Sequence, residues 1–191
     1  MLELATLGLL QGEPLHGYRL KQQLELFVSG CISVNYGAIY PLLKRLEEAG
    51  QIATLGEEEG EAGSNRKIYS ITKSGRERWR QKMLEHPQES WVNGRSRFFI
   101  KFFFFSYLEP GERIKLLEHR LLVCKLRLES PEPEMIAADA YKATAWEYFR
   151  QLLQGEIEWL NEQLASERTD QSFKNLSPTL GGWGQIYIFA N

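Results

Sequence analysis

Residues 36–50 read YGAIYPLLKRLEEAG, and the fold turns on how this stretch is arranged. Taken at about 100° per residue, Ile39, Leu42, Leu43, Leu46 and Ala49 fall within one arc of roughly 120°, the mark of a helix with one buried face. The spacing predicts a helix from Tyr36 to Ala49, capped by Asn35 and stopped by Gly50. Its other face is unusual. A solvated helix face carries Glu, Lys and Gln, whereas this one displays Tyr36, Gly37, Tyr40, Pro41 and Lys44, with Glu47 and Glu48 at the far end. Pro41 is expected to remove a hydrogen bond and bend the axis. A local rule broken on an exposed face points to function rather than stability.

Two further helices precede this one. Residues 2–11 (LELATLGLLQ) are good helix formers halted by Gly12 and Pro14, and residues 15–28 place Leu20, Leu24 and Phe27 at helical spacing before Ser29-Gly30. Downstream, residues 51–55 and 66–72 read as short strands, and the polar loop 56–65 (GEEEGEAGSN) joins them into a hairpin. Thr72 then caps a basic helix, Lys73 to about Glu85, with Trp79 and Met83 on its apolar side. Helix, helix, helix, hairpin, helix is the layout of a winged helix-turn-helix. In that layout the third helix enters the major groove N-terminal end first and the hairpin lies along the backbone.

Pro87 and Gly94 mark a break, and a second, helical region follows. The aromatic run lies in 95–108, Glu109-Pro110-Gly111-Glu112 reads as a turn, and 112–129 as a charged helix. A long helix is expected from about Ile136 to Ser166. Tyr141, Ala145, Tyr148, Leu152 and Trp159 make a stripe along it, and a stripe on so long a helix needs a partner surface. Tyr141, Tyr148, Leu152 and Trp159 are therefore the candidate dimerisation residues. Trp91, Trp146 and Trp159 could line a pocket, although aromatics at helical spacing are more often core or interface. The phenylalanines of 98–105 read as core. The expected architecture is mainly α: a winged helix-turn-helix over 1–85, a helical dimerisation or effector domain over 95–168, and a tail, 169–191, of loop or disorder.

Composition narrows the class. The 191 residues are 43% hydrophobic with a net charge of −2. Residues 1–84 hold 11 basic and 10 acidic groups, and residues 85–191 hold 12 and 15. Nucleic-acid binding would thus come from where charge is placed, not from its total. Cys31 and Cys124 stand far apart in sequence and form no disulfide framework. The apolar run Phe98–Leu108 carries Lys101 and falls well short of the about 20 residues a membrane span requires. No signal sequence is evident, so a cytoplasmic protein without a membrane partner is expected. His16, His86 and His119 lie in separate elements, and no Ser-His-acid, HExxH or glycine-rich phosphate loop appears. Neither catalysis, a cofactor nor a metal is indicated.

Three stretches together resemble the PadR family of bacterial transcription regulators: Leu7-Gly8-Leu9-Leu10 with Gly12 and Pro14-Leu15-His16-Gly17-Tyr18; Tyr36-Gly37-Ala38-Ile39-Tyr40-Pro41 with Leu43, Arg45-Leu46-Glu47 and Gly50; and Arg66-Lys67, Tyr69, Ile71-Thr72 and Gly75. Residues 95–165 are similar, more loosely, to the helical C-terminal region of longer members. The resemblance implies a homodimer on double-stranded DNA, and a region that could receive a small-molecule effector. Two departures stand out. Arg19 occupies a position that is usually acidic, and Glu57, Glu58, Glu59 and Glu61 would repel phosphate at the hairpin tip.

The candidate DNA-binding residues are Asn35, Tyr36, Gly37, Tyr40 and Lys44 on the third helix, Asn65, Arg66 and Lys67 at the hairpin, and His16. For His16 a capping role is the stronger reading, and Tyr40 could instead pack against Tyr18. Arg45 is expected in an internal ion pair, and Arg76, Arg78, Arg80 and Lys82 on a solvated helix face. The function expected is a homodimeric, repressor-type regulator on a roughly palindromic operator. The alternative is a protein-interaction module on a winged scaffold without DNA binding.

Overall fold

A computed structural model of the chain describes residues 1–28, 36–59, 65–130 and 139–176. The chain divides into two compact units, Met1–Tyr107 and Leu108–Asn191.

The first unit is a winged helix-turn-helix. Helix α1 (Leu2–Leu9) leads through a two-residue strand β1 (Leu15–His16) into α2 (Gly17–Val28). A 3-10 turn, Tyr36–Ala38, runs into α3 (Ile39–Glu48). The wing is β2 (Ile52–Glu59) and β3 (Asn65–Ile71), followed by α4 (Lys73–Leu84), α5 (Trp91–Phe103) and a second 3-10 turn, Phe105–Tyr107. Helix α1 packs on α2 and α4, and the apolar arc of α3 closes the core: Leu4, Leu7, Leu20, Leu24, Ile39, Leu43, Leu46 and Met83 are all buried. Each such side chain stabilises by about 1.5–3 kcal/mol relative to exposure.

Several local expectations are corrected. The α-helical part of the third helix starts at Ile39, and its N-cap, Ala38, makes no side-chain cap bond. The expected cap, Asn35, lies outside the described residues. Pro41 consequently sits in the first turn of α3, where an N–H has no intrahelical partner anyway, so the proline removes no bond from the helix. The positive φ of Gly50, 66°, ends that helix as expected. The second helix starts two residues later than expected because Leu15 and His16 pair with Tyr69 and Ile68 as an edge strand, giving an antiparallel sheet of order β1-β3-β2. Two residues are too few for a period-2 signal.

The wing strands extend into what was expected to be loop. Glu57, Glu58 and Glu59 pair in register with Lys67, Arg66 and Asn65. Glutamate has low strand propensity, so the strand here follows from the backbone pairing with β3 rather than from local preference. The basic face of α4 is not simply solvated: Arg78 and Lys82 pair with Glu3 at 3.2 and 3.5 Å, and Arg76 donates to Gln11 Oε1 at 2.6 Å. These contacts fasten α4 to the start of the chain. Thr72 caps α4, accepting from Gly75 N–H.

Helix α5 belongs to the first unit, not to a region beginning at 95. Phe104 presses on Gly8 and meets Trp79 edge-on at 6.3 Å, and Tyr107 meets the same indole at 6.0 Å. Phe98, Phe104 and Phe105 are core as expected, whereas Phe103 is exposed. Lys101 is buried and donates its Nζ proton to the Glu85 carbonyl. Burial, with Arg97 nearby, pushes its pKa down to about 8.

In the second unit α6 (Pro110–Glu129) packs along α7 (Ala140–Leu176). Glu112 accepts from the Glu109 N–H, which starts α6 one turn before its apolar residues. Leu116, Leu117, Cys124, Leu153, Leu160 and Leu164 fill the seam, and a buried Arg120–Glu156 ion pair of 2.8 Å crosses it. Arg113–Glu167 and Arg168–Glu118 bridge the helices further along. Helix α7 runs ten residues past the expected end at Ser166, so residues 169–176 are helical where a loop or disorder was expected. The rest of the tail, and Cys31, lie outside the described residues. Among the described residues no helix is long and apolar enough to cross a membrane.

Candidate nucleic-acid interface

Burying one face of α3 forces the other outward. Gly37, Tyr40, Pro41 and Lys44 are all exposed, and Tyr40 retains 56% of its accessible surface. Tyr40 is nevertheless held at its base. A Cβ placed at Gly17 would lie 3.1 Å from the Tyr40 ring, so the absence of a side chain there lets the ring lie against the start of α2. Packing against Tyr18 was the alternative for Tyr40; the contact seen at its base is with Gly17. Tyr18 instead lies parallel to His16, with ring centroids 6.5 Å apart.

His16 caps α2. Its Nδ1 accepts the Arg19 N–H at 3.1 Å, which makes Nε2 the protonated nitrogen of the neutral ring. The capping role and the phosphate-contact role are compatible, because Nε2–H remains available to a ligand. Arg19, the departure from the usual acidic residue, is exposed and pairs with Glu13 at 3.6 Å.

Lys44 has 77% of its side chain exposed and is only loosely paired to Glu48, at 3.9 Å. Lys67 extends from β3 and pairs with Glu47 Oε2 at 3.7 Å, while the other carboxylate oxygen accepts the Thr54 hydroxyl at 2.6 Å. Arg45 pairs with Glu3, as the sequence suggested. Burial, then the Glu47 carboxylate and Tyr40, hold the Tyr69 phenol above its usual pKa, so it stays neutral at physiological pH. The side chains of Tyr36, Asn65 and Arg66 fall outside the described part. Their backbone places Tyr36 at the leading end of α3, and Asn65 and Arg66 on β3 beside Lys67.

Strand β1, helix α3 and strand β3 thus carry His16, Tyr40, Lys44 and Lys67 in the same unit, with aromatic and cationic groups displayed. Such groups suit the phosphates and base edges of a duplex. Sequence reasoning missed Glu47, which joins α3 to both wing strands. In the sequence it stood at the far end of the outward face and within the Arg45-Leu46-Glu47 stretch, with nothing to link it to the wing.

The stripe expected to pair two copies is also displayed. Tyr141 and Tyr148 keep 89% and 63% of their surface, Leu152 is exposed and Trp159 is half-buried. Leu122 and Leu126 of α6 are exposed as well.

Residues 6–81 match the family described as the Transcriptional regulator PadR-like family. No curated protein matches the chain. Among solved structures, Bacillus subtilis PadR in complex with operator DNA is 24% identical, covering 87% of this chain and 98% of that one with a TM-score of 0.44. The same protein in complex with p-coumaric acid is 25% identical over 87% and 95% of the two chains, with a TM-score of 0.41. The PadR-like regulator BC1756 from Bacillus cereus is 22% identical over 89% and 99%, with a TM-score of 0.39.

Proposed function

We propose, from the match of residues 6–81 to the PadR-like transcriptional regulator family, that this chain is a sequence-specific DNA-binding regulator of the repressor type. The observation that carries the reading is the exposed Tyr40–Lys44 face of a helix whose opposite side is core, flanked by a basic strand. Helix α3 would enter the major groove by its Tyr36 end. Asn35, Tyr36, Gly37, Tyr40 and Lys44 would approach bases and phosphate, and Asn65, Arg66 and Lys67 would track the adjacent backbone with His16 on a further phosphate.

The chain would act as a homodimer on a roughly two-fold operator. Support comes from the exposed apolar groups along α6 and α7, which a second copy would cover: Leu122, Leu126, Tyr141, Tyr148 and Leu152, with Trp159 at the margin. Release by a small-molecule effector fits a regulator of this class. Catalysis, a cofactor and a metal have no place in this reading.

Lys44→Ala combined with Arg66→Ala tests it. Each cation neutralises about one phosphate, so the pair is expected to weaken duplex binding about 10- to 100-fold and flatten the log–log salt slope by about 2. Fluorescence anisotropy across a salt series reads both. A variant that keeps the affinity and salt slope of the unsubstituted chain would favour the interaction-module reading instead.

A further inference from the structure

The candidate interface contains one carboxylate that contacts both of its halves. Glu47 lies in the last turn of α3, half-buried, facing the wing. One carboxylate oxygen takes the Thr54 hydroxyl proton from β2 at 2.6 Å, and the other faces Lys67 Nζ of β3 at 3.7 Å. Thr54 stands opposite Tyr69 in the sheet, two residues from Lys67 along β3, so a single side chain reaches both wing strands from the recognition helix.

The two bonds differ in kind. The short hydroxyl bond is partly sheltered and survives if the carboxylate becomes an amide, because Gln also offers an acceptor oxygen. The ion pair is half-exposed and long, and such pairs are weak in water. It nevertheless takes Lys67, a cation of the proposed DNA face, and ties it to an internal negative charge. A phosphate offers Lys67 the same interaction in a stronger field.

We propose that Glu47 sets the DNA affinity of this protein by holding Lys67 in the free chain, so that a DNA phosphate must displace the carboxylate to engage the wing. The inference rests on the DNA-binding reading above and adds a restraint built into it. Glu47 is a positioning residue that acts through Lys67. The wing keeps its attachment through Thr54 in either state, and the exchange concerns only which anion the lysine faces. Glu47 therefore limits indiscriminate adhesion to phosphate backbone without loosening the hairpin.

The test is binding of the full chain, its E47Q and K67M variants and the double variant, to a random-sequence duplex of about 30 base pairs over a salt series, where phosphate contacts supply the affinity. E47Q is expected to tighten binding about 3- to 10-fold and steepen the salt slope by up to about 0.9, the yield of one lysine freed for phosphate. K67M alone is expected to weaken binding. In the K67M background the further change Glu47→Gln is expected to alter affinity by less than about two-fold, because no lysine remains to be released.

A gain from E47Q that persists undiminished beside K67M would overturn the inference, since it would be general charge removal. An E47Q variant that binds no better than the parent would overturn it too, and an unchanged unfolding midpoint for E47Q excludes a loss caused by misfolding. Failure of the unsubstituted chain to bind any duplex would be a different result. It would remove the DNA-binding reading, and this inference with it.

Discussion

Gly75→Ala is expected to destabilise the winged unit by about 3–5 kcal/mol, enough to leave a marginal domain largely unfolded. Gly75 lies in the first turn of α4, where the helix meets the strand-entry residue Gln51. A Cβ built there would stand 2.0 Å from the Gln51 carbonyl oxygen and 2.8 Å from Ile71 Cγ1. Neither neighbour can yield cheaply. The Gln51 carbonyl accepts the Thr72 N–H at 3.1 Å, and Ile71 is buried at the end of β3. Moving either would pull the wing from the helix that follows it, and Thr72 also caps α4 through Gly75 N–H. Overpacking of this kind exceeds the usual cost of an added methyl because the blocking atom is backbone. Gly111→Ala is the contrast: nothing lies within 4 Å of its Cβ position, and it should be neutral or slightly stabilising. Urea unfolding at fixed protein concentration measures both. A Gly75→Ala midpoint equal to that of the parent would mean that α4 does not pack on Gln51 as described.

Arg120→Met is the second large effect. Arg120 and Glu156 are 5% and 4% exposed and meet at 2.8 Å across the α6–α7 seam. Replacing the arginine alone leaves the Glu156 carboxylate buried without its guanidinium, which costs about 3–5 kcal/mol. Replacing both, Arg120→Met with Glu156→Leu, substitutes apolar volume for the pair and is expected to restore parental stability or exceed it. The sign reversal between single and double variants is the diagnostic result. Equal losses in the two would show that the pair lies in a wetter site than its geometry indicates.

The elements of the first unit were legible because each carried its own local signal. The arc of Ile39, Leu42, Leu43 and Leu46, the Thr72 cap and the positive-φ Gly50 needed nothing from the rest of the chain. What escaped depends on contacts distant in sequence. The strand at Leu15–His16 exists only because β3 is there to pair with it. The glutamates of the wing became strand because β3 pairs with them in register. The α4 cations were engaged by Glu3, some 75 residues away in the chain. Helix α5 was assigned beyond the break at Pro87 and Gly94, yet Phe104 finds its place against Gly8 and Trp79. The candidate interface follows the same division. Tyr40 and Lys44 were readable as the wrong residues for a solvated face. Glu47 became visible only when the wing was placed beside it.

In the proposed complex the outward face of α3, with β3, lies on duplex DNA. Titration of the unsubstituted chain with duplex fragments drawn from its own upstream region and from genomic DNA, repeated between about 50 and 200 mM salt, tests it most directly. Saturable binding is expected, weakening at least about a hundred-fold across that range as several phosphate contacts are exchanged for counterions. Absence of binding, or an affinity indifferent to salt, would contradict it.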